Sequence, residues 1–177
     1  MGSMNMDMVE QNFKKEVGDV SAWCSEQYDA YFSPYLGNLK SLYETLQTER
    51  SNMSDTDLES VLTYLPLQII EVSEVLSQYK LNNDCLKLHI KRIEADVIRN
   101  SKEKTVKERQ EAAVRATMEY RTLSCAYTAI INRAENEINF GREFIMTVKK
   151  IWDARMKTYE ANPISEGIDS LEVYGDE

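Results

Sequence analysis

Turn-forming residues are scarce in this chain, with 6 Gly and 3 Pro among 177 residues. A β-sandwich or barrel needs a turn signal every ten residues or so, and that density is missing. No apolar run reaches the length a membrane span requires, and no charged n-region followed by an apolar h-region opens the chain. The single histidine, His89, excludes a two-histidine zinc site of the HExxH kind and a pair of ExxH motifs. Three cysteines, Cys24, Cys85 and Cys125, stand far apart with no CxxC spacing. Each falls on or beside an apolar stripe, so the expectation is a buried thiol in a reducing compartment. Neither GxxxxGK[ST] nor GxGxxG occurs, which removes the common nucleotide-binding loops. His89 has no nucleophile or carboxylate in a recognisable motif and reads as structural. The expectation is a non-enzymatic, all-α protein without metal or cofactor.

Helical periodicity is abundant. One stripe runs Leu58, Leu62, Leu65, Ile69, Val72, Leu76, Tyr79, Asn83, Leu86, Ile90, Ile93 and Val97, in steps of three and four. Ser54-Asp55 before it is a helix N-cap signal. Pro66 predicts a kink or a fresh first turn, and Asn83 either breaks the helix or puts an amide on the seam. A continuous but bent helix is expected. The second stripe is Ala113, Ala116, Tyr120, Leu123, Tyr127, Ile130, Ala134, Ile138, Gly141, Ile145, Val148, Trp152, Met156 and Tyr159. Thr105-Val106-Lys107-Glu108 has the capping-box form and Asn162-Pro163 a stop, so one helix of roughly 80 Å is predicted between them. Gly141 is its weak point and a candidate bend.

The first part of the chain is less regular. Val9, Phe13, Val17, Val20, Cys24, Tyr28 and Tyr31 form one stripe; Leu36, Leu39, Tyr43 and Leu46 form another, separated by Phe32-Ser33-Pro34. The aromatic cluster Tyr28, Tyr31, Phe32 and Tyr35 reads as packing against a long hairpin. The organisation expected is N-terminal helices over 1–53, a long helical hairpin over 54–160 in the same domain, and an acidic, flexible tail over 161–177. Two seams of more than five heptads exceed what one antiparallel pair hides, which predicts a homo-oligomer. Asn83, Tyr120, Leu123, Tyr127, Ile130, Ile145, Val148 and Trp152 are the expected interface residues.

Charge is divided unevenly beneath the net −9. Residues 1–85 carry 14 acidic and 5 basic side chains, 86–157 carry 10 and 16, and 158–177 carry 6 acidic and none basic. The basic residues gather where the hairpin should turn: Lys87, Lys91, Arg92, Arg99, Lys102, Lys104, Lys107 and Arg109 surround Asn100-Ser101. A basic tip offers phosphates a sequence-blind surface. No aromatic residue is interleaved with these bases along the chain, so no stacking platform is legible there.

Ile90-Lys91-Arg92-Ile93-Glu94-Ala95, a basic connection and a long helix containing Arg142-Glu143-Phe144-Ile145-Met146-Thr147-Val148-Lys149-Lys150-Ile151-Trp152-Asp153-Ala154-Arg155 together resemble the UvsY-like recombination mediator proteins of tailed phages. The resemblance covers roughly 86–157. It implies a small helical protein that assembles into rings, binds single-stranded DNA and helps a RecA-type recombinase displace single-strand binding protein, in the cytoplasm of the phage's host. It offers Lys91 and Arg92 as phosphate contacts; Lys102, Lys104, Lys107 and Arg109 come from charge clustering. The family's aromatic pair after the basic run is replaced here by Val106 and Ala112-Ala113, and the glycine after the late arginine by Glu143. A competing reading is a helical adaptor or inhibitor that binds another protein, in the extreme an acidic DNA mimic. The overall charge and the acidic tail favour it, and the basic hairpin favours the mediator.

Overall fold

In the computed structural model, residues 6–48, 53–103 and 105–161 are described, and all their regular structure is helical. The order is α1 (Met6–Tyr31), α2 (Ser33–Leu36), α3 (Leu39–Thr48), α4 (Asp55–Asn100), α5 (Val106–Ala116) and α6 (Met118–Ala161). The acidic tail from 162 and the side chains of Val9 and Phe13 lie outside the described residues.

The long helices α4 and α6 form an antiparallel hairpin. Asp55 meets Arg155 at one end (2.8 Å) and Glu94 pairs with Arg121 near the other. At 46 and 44 residues the two helices are about 65–70 Å long. The α4 seam is buried at Leu58, Leu65, Ile69, Val72, Leu76, Tyr79, Asn83 and Ile90, with Val61 added to it. Pro66 lies inside α4, and the helix runs through it although the ring deprives the Leu62 carbonyl of its usual donor. Ser54 caps α4 through a reciprocal box. Its hydroxyl accepts from the Asp57 N–H at 3.1 Å, and the Asp57 carboxylate accepts from the Ser54 N–H at 3.1 Å.

The Asn83 amide does not break the helix. It is buried on the seam, accepts from the Ser124 hydroxyl at 2.8 Å and donates to the Thr128 hydroxyl at 3.2 Å. Both halves of the amide are satisfied across the helix pair, so the burial of a polar group is compensated.

In α6 the buried face differs from the single stripe expected. Ala126, Ile130, Ile131, Ala134, Ile138, Gly141, Phe144, Val148 and Ile151 point inward, whereas Tyr120, Leu123, Met156 and Tyr159 are exposed. Ile130 and Ile131 are adjacent and about 100° apart round the helix, so two sides of α6 are covered. The second cover is the N-terminal layer. Trp23 of α1 packs edge-on against Tyr127, Phe32 against Tyr79 of α4, and Tyr43 of α3 against Phe140 and Phe144. Tyr28 and Phe32 are fully buried, which agrees with the packing role read for this cluster. Arg133 lies 3.5 Å from the Tyr28 ring centroid, a cation over an aromatic face. Burial and the adjacent Glu137 push the Tyr28 phenol well above its ordinary value. Tyr79, buried beside Tyr31 and Tyr127, is pushed up to about 12.

Three sequence expectations change here. The helix predicted from Thr105 to Tyr159 is divided at Thr117, whose φ of −111° and ψ of 6° leave the helical region. Cys85 and Cys125 are exposed and Cys24 is only half-buried, so the thiols are not core residues. Gly141 is no bend but a close contact. A Cβ there would lie 3.1 Å from Ile69 Cδ1 and 3.3 Å from Leu39 Cδ1, where α3, α4 and α6 meet.

Gly141→Val therefore overfills the crossing of three helices and should cost about 1–3 kcal/mol in denaturant-melt stability. A variant as stable as the parent would contradict the close approach. A second expectation concerns pH. Hydrogen bonds from Arg155 and Tyr159 hold the Asp55 carboxyl below its ordinary value of 3.8. A carboxyl lowered on folding stabilises fully above that value, and the contribution is lost as pH falls through the lowered one. Acid unfolding of the parent should therefore steepen below about pH 4, and Asp55→Asn should flatten that limb in circular-dichroism titrations.

Candidate nucleic-acid interface

The basic end of the hairpin is built from the last turns of α4, a short connection, α5 and the start of α6. Asn100 ends α4, and Ser101 turns the chain into extended conformation. Thr105 restarts it with the capping box expected from the sequence: its hydroxyl accepts from the Glu108 N–H at 3.2 Å, and Glu108 accepts from the Thr105 N–H at 3.0 Å. These bonds hold the Glu108 carboxyl below its ordinary range. Arg109 reaches back and donates from Nε to the Glu103 carbonyl at 2.9 Å, bracing the connection. Its role is thus at least partly to shape the turn.

The remaining bases divide by their partners. Lys87 pairs with Asp84 at 3.3 Å and Arg99 with Asp96 at 3.8 Å, both exposed pairs on their own helix. Such pairs are worth little and yield readily to a stronger anion. Lys91, Arg92, Lys102 and Lys107 are exposed and make no ion pair among the described residues. Lys104 lies outside the described residues. The described members of the predicted cluster therefore lie toward one end of the hairpin, with four cations open to solvent.

At the root of this end α5 folds back on α4 through a polar staple. Thr117 is fully buried, and its hydroxyl lies 3.0 Å from the Ala113 carbonyl and 3.2 Å from Glu94 Oε1. The same oxygen accepts from Arg121 Nε at 3.1 Å, while the Arg121 guanidinium also pairs with Glu94. Sequence periodicity missed this break because Ala113, Ala116 and Tyr120 continue the three-four spacing straight across it. The one available signal was a threonine four residues before an arginine, with a glutamate on the preceding helix.

An aromatic contact also escaped the linear reading. His89 of α4 meets Tyr120 of α6 edge-on at 5.2 Å between ring centroids, and both side chains are exposed. It was illegible because the two residues come from different helices. His89 lies about 200° round α4 from both Lys87 and Lys91, so the pair occupies the opposite edge of the hairpin.

The residues expected to join protomers fall into two groups. Asn83, Ile130 and Val148 are buried inside the single chain, satisfied or packed there, and are not available to a second copy. Tyr127, Ile145 and Trp152 are half-buried against the same core, and Tyr120 and Leu123 are exposed. Among the described residues no cluster of His, Cys, Asp or Glu could hold a metal ion, and no helix is long and apolar enough to cross a membrane. No family model matches the chain, and no curated protein or solved structure is significantly similar to it.

The Thr117 staple gives a stability expectation. Thr117→Val keeps the shape but removes the hydroxyl, leaving Arg121 Nε and Glu94 each short of one partner. A loss of about 1–2 kcal/mol is expected in urea melts. An unchanged midpoint would mean the staple contributes nothing.

Proposed function

We propose that this chain is a non-enzymatic recombination mediator. It binds single-stranded DNA at the basic end of the α4–α6 hairpin and helps load a RecA-type recombinase against single-strand binding protein. It works without a cofactor, in the cytoplasm of a phage-infected host cell. The observation that carries the reading is the solvent-open set Lys91, Arg92, Lys102 and Lys107 at one end of an otherwise acidic molecule. Cations unpaired by carboxylates release counterions when phosphates bind, which supplies sequence-independent affinity.

The mediator acts as a homo-oligomer, and its assembly surface is revised from the sequence reading. Leu67, Ile70, Leu81 and Leu88 are all more than half exposed on α4. Their separations of three, eleven and seven residues are close to whole numbers of helical turns, so they form one uncovered stripe. That stripe can meet a second copy without opening the core.

The test is fluorescence anisotropy with a labelled oligothymidylate. Changing Lys91, Lys102 and Lys107 together to Glu should weaken binding at least tenfold at low salt. The log–log salt slope should fall by about 2, near 0.7 for each phosphate no longer neutralised. Helicity should be unchanged, because none of the three makes an intramolecular ion pair among the described residues. A variant that binds like the parent, or a parent that does not bind at low salt, would overturn the mediator reading and favour an acidic protein that binds another protein.

A further inference from the structure

A further basic feature lies at the root of the same end, on the edge of the hairpin that carries Lys87 and Lys91, and shares Lys91 with the exposed set. There α4 and α6 enclose an open cavity of about 370 Å³. Lys87, Lys91 and Glu94 line it from α4, and Arg121, Ser124 and Cys125 from α6. Lys87 and Lys91 are one turn apart on a shared face. Arg121 arrives from the opposite helix, so cations flank the cavity on both sides. Ser124 adds a hydroxyl, already engaged with the Asn83 amide that ties the two walls together.

The three cations are engaged differently. The Lys87–Asp84 pair is exposed and weak, and Lys91 has no ion-pair partner among the described residues. Arg121 is held by Glu94, whose side chain is only 23% exposed and also faces the Thr117 hydroxyl. Glu94 is the only carboxylate among the residues that line the cavity. A phosphate diester oxygen is a good guanidinium acceptor, and Lys87 and Lys91 on the facing wall add to its attraction.

We infer that this groove is a phosphate subsite for the single strand. A backbone phosphate enters between Lys87 and Lys91 on one wall and Arg121 on the other, and Glu94 is the built-in competitor that it displaces from the guanidinium. The inference rests on the reading of the tip as a single-stranded DNA surface and extends it by one site and one regulating carboxylate. Glu94 stays bonded to Thr117 when Arg121 leaves, so the staple at the helix break is loosened but not broken. Strand binding thereby acts on the joint between α5 and α6.

The chain carries its own reporter. Cys125 is exposed and lines the groove, whereas Cys85 is exposed, stands two residues before Lys87 and does not line it. Iodoacetamide labelling of the unmodified full chain is followed at each cysteine by peptide mass, with and without a short oligothymidylate. Binding should slow alkylation several-fold at Cys125 and leave Cys85 unchanged. Inorganic phosphate at matched phosphate concentration should protect neither. Glu94→Gln frees Arg121 while retaining an acceptor for Thr117; it should tighten oligothymidylate binding several-fold at low salt, and an affinity equal to the parent's would overturn the competitor role of Glu94.

If the oligonucleotide binds but Cys125 reacts as in the free protein, or both cysteines are protected alike, the groove site is overturned and the tip reading stands. Equal protection by inorganic phosphate replaces the strand subsite with a free-anion site. If the oligonucleotide does not bind at all, the tip reading fails and this inference with it.

Discussion

A hairpin of two helices, each about 65–70 Å long, stays closed only while its apolar stripes face each other and a third layer covers what is left. The seam between α4 and α6 is the contact on which the other features depend. Each fully buried Leu, Ile or Val along it contributes about 1.5–3 kcal/mol. At the end holding Ile69, Val72 and Ile138, that burial is completed by α1, α2 and α3, whose aromatic side chains fill the second groove of the seam. The near approach of α3 and α4 to Gly141 sets how tightly the layers close. The turn between α4 and α5 is thereby held at the end of the hairpin away from α2 and α3.

Along the rod the means of holding the helices together changes. Beyond Tyr79 the seam passes through the Asn83 amide with Ser124 and Thr128, then the Glu94–Arg121–Thr117 staple. These are hydrogen bonds and ion pairs that offset their own desolvation and little more. Among the described residues of the hairpin, this end has few buried apolar side chains, Ile90 and Ala113, and relies on polar contacts. A segment with that character opens more readily than the aromatic end, which would suit the strand-binding role we propose for it. The same polarity gradient puts Glu94 beside Arg121 in the groove, and in the proposed site that carboxylate would tune affinity within the fold.

The all-α class, the hairpin, both helix caps and the position of the basic turn were legible because each follows from local rules: three-four spacing, Ser54-Asp55 ahead of an apolar stripe, Thr105 with Glu108 three residues on, and charge counting. What was illegible required two helices at once. The division at Thr117 is hidden by Ala113, Ala116 and Tyr120, which keep helical spacing across a one-residue break. The inward turn of Phe144 and Ile151 follows from the N-terminal layer lying on a second side of α6, which no pattern within α6 encodes. Asn83, Ile130 and Val148 read as interface positions because a seam looks alike whether its partner is the same chain or another. Cys85 and Cys125 border the stripes by sequence yet are exposed, Cys125 at the open groove between α4 and α6. Arg121 entered no predicted site, since no other base lies near it in the chain and the lysines that share its groove, Lys87 and Lys91, are on α4.

Hydrogen–deuterium exchange with and without a saturating oligothymidylate tests most directly whether strand binding is confined to one end of the rod. The account predicts slower amide exchange across the end of α4, the connection, α5 and the first turns of α6, with the aromatic end unchanged. Protection centred on the acidic N-terminal helices, or no change anywhere at low salt, would contradict it.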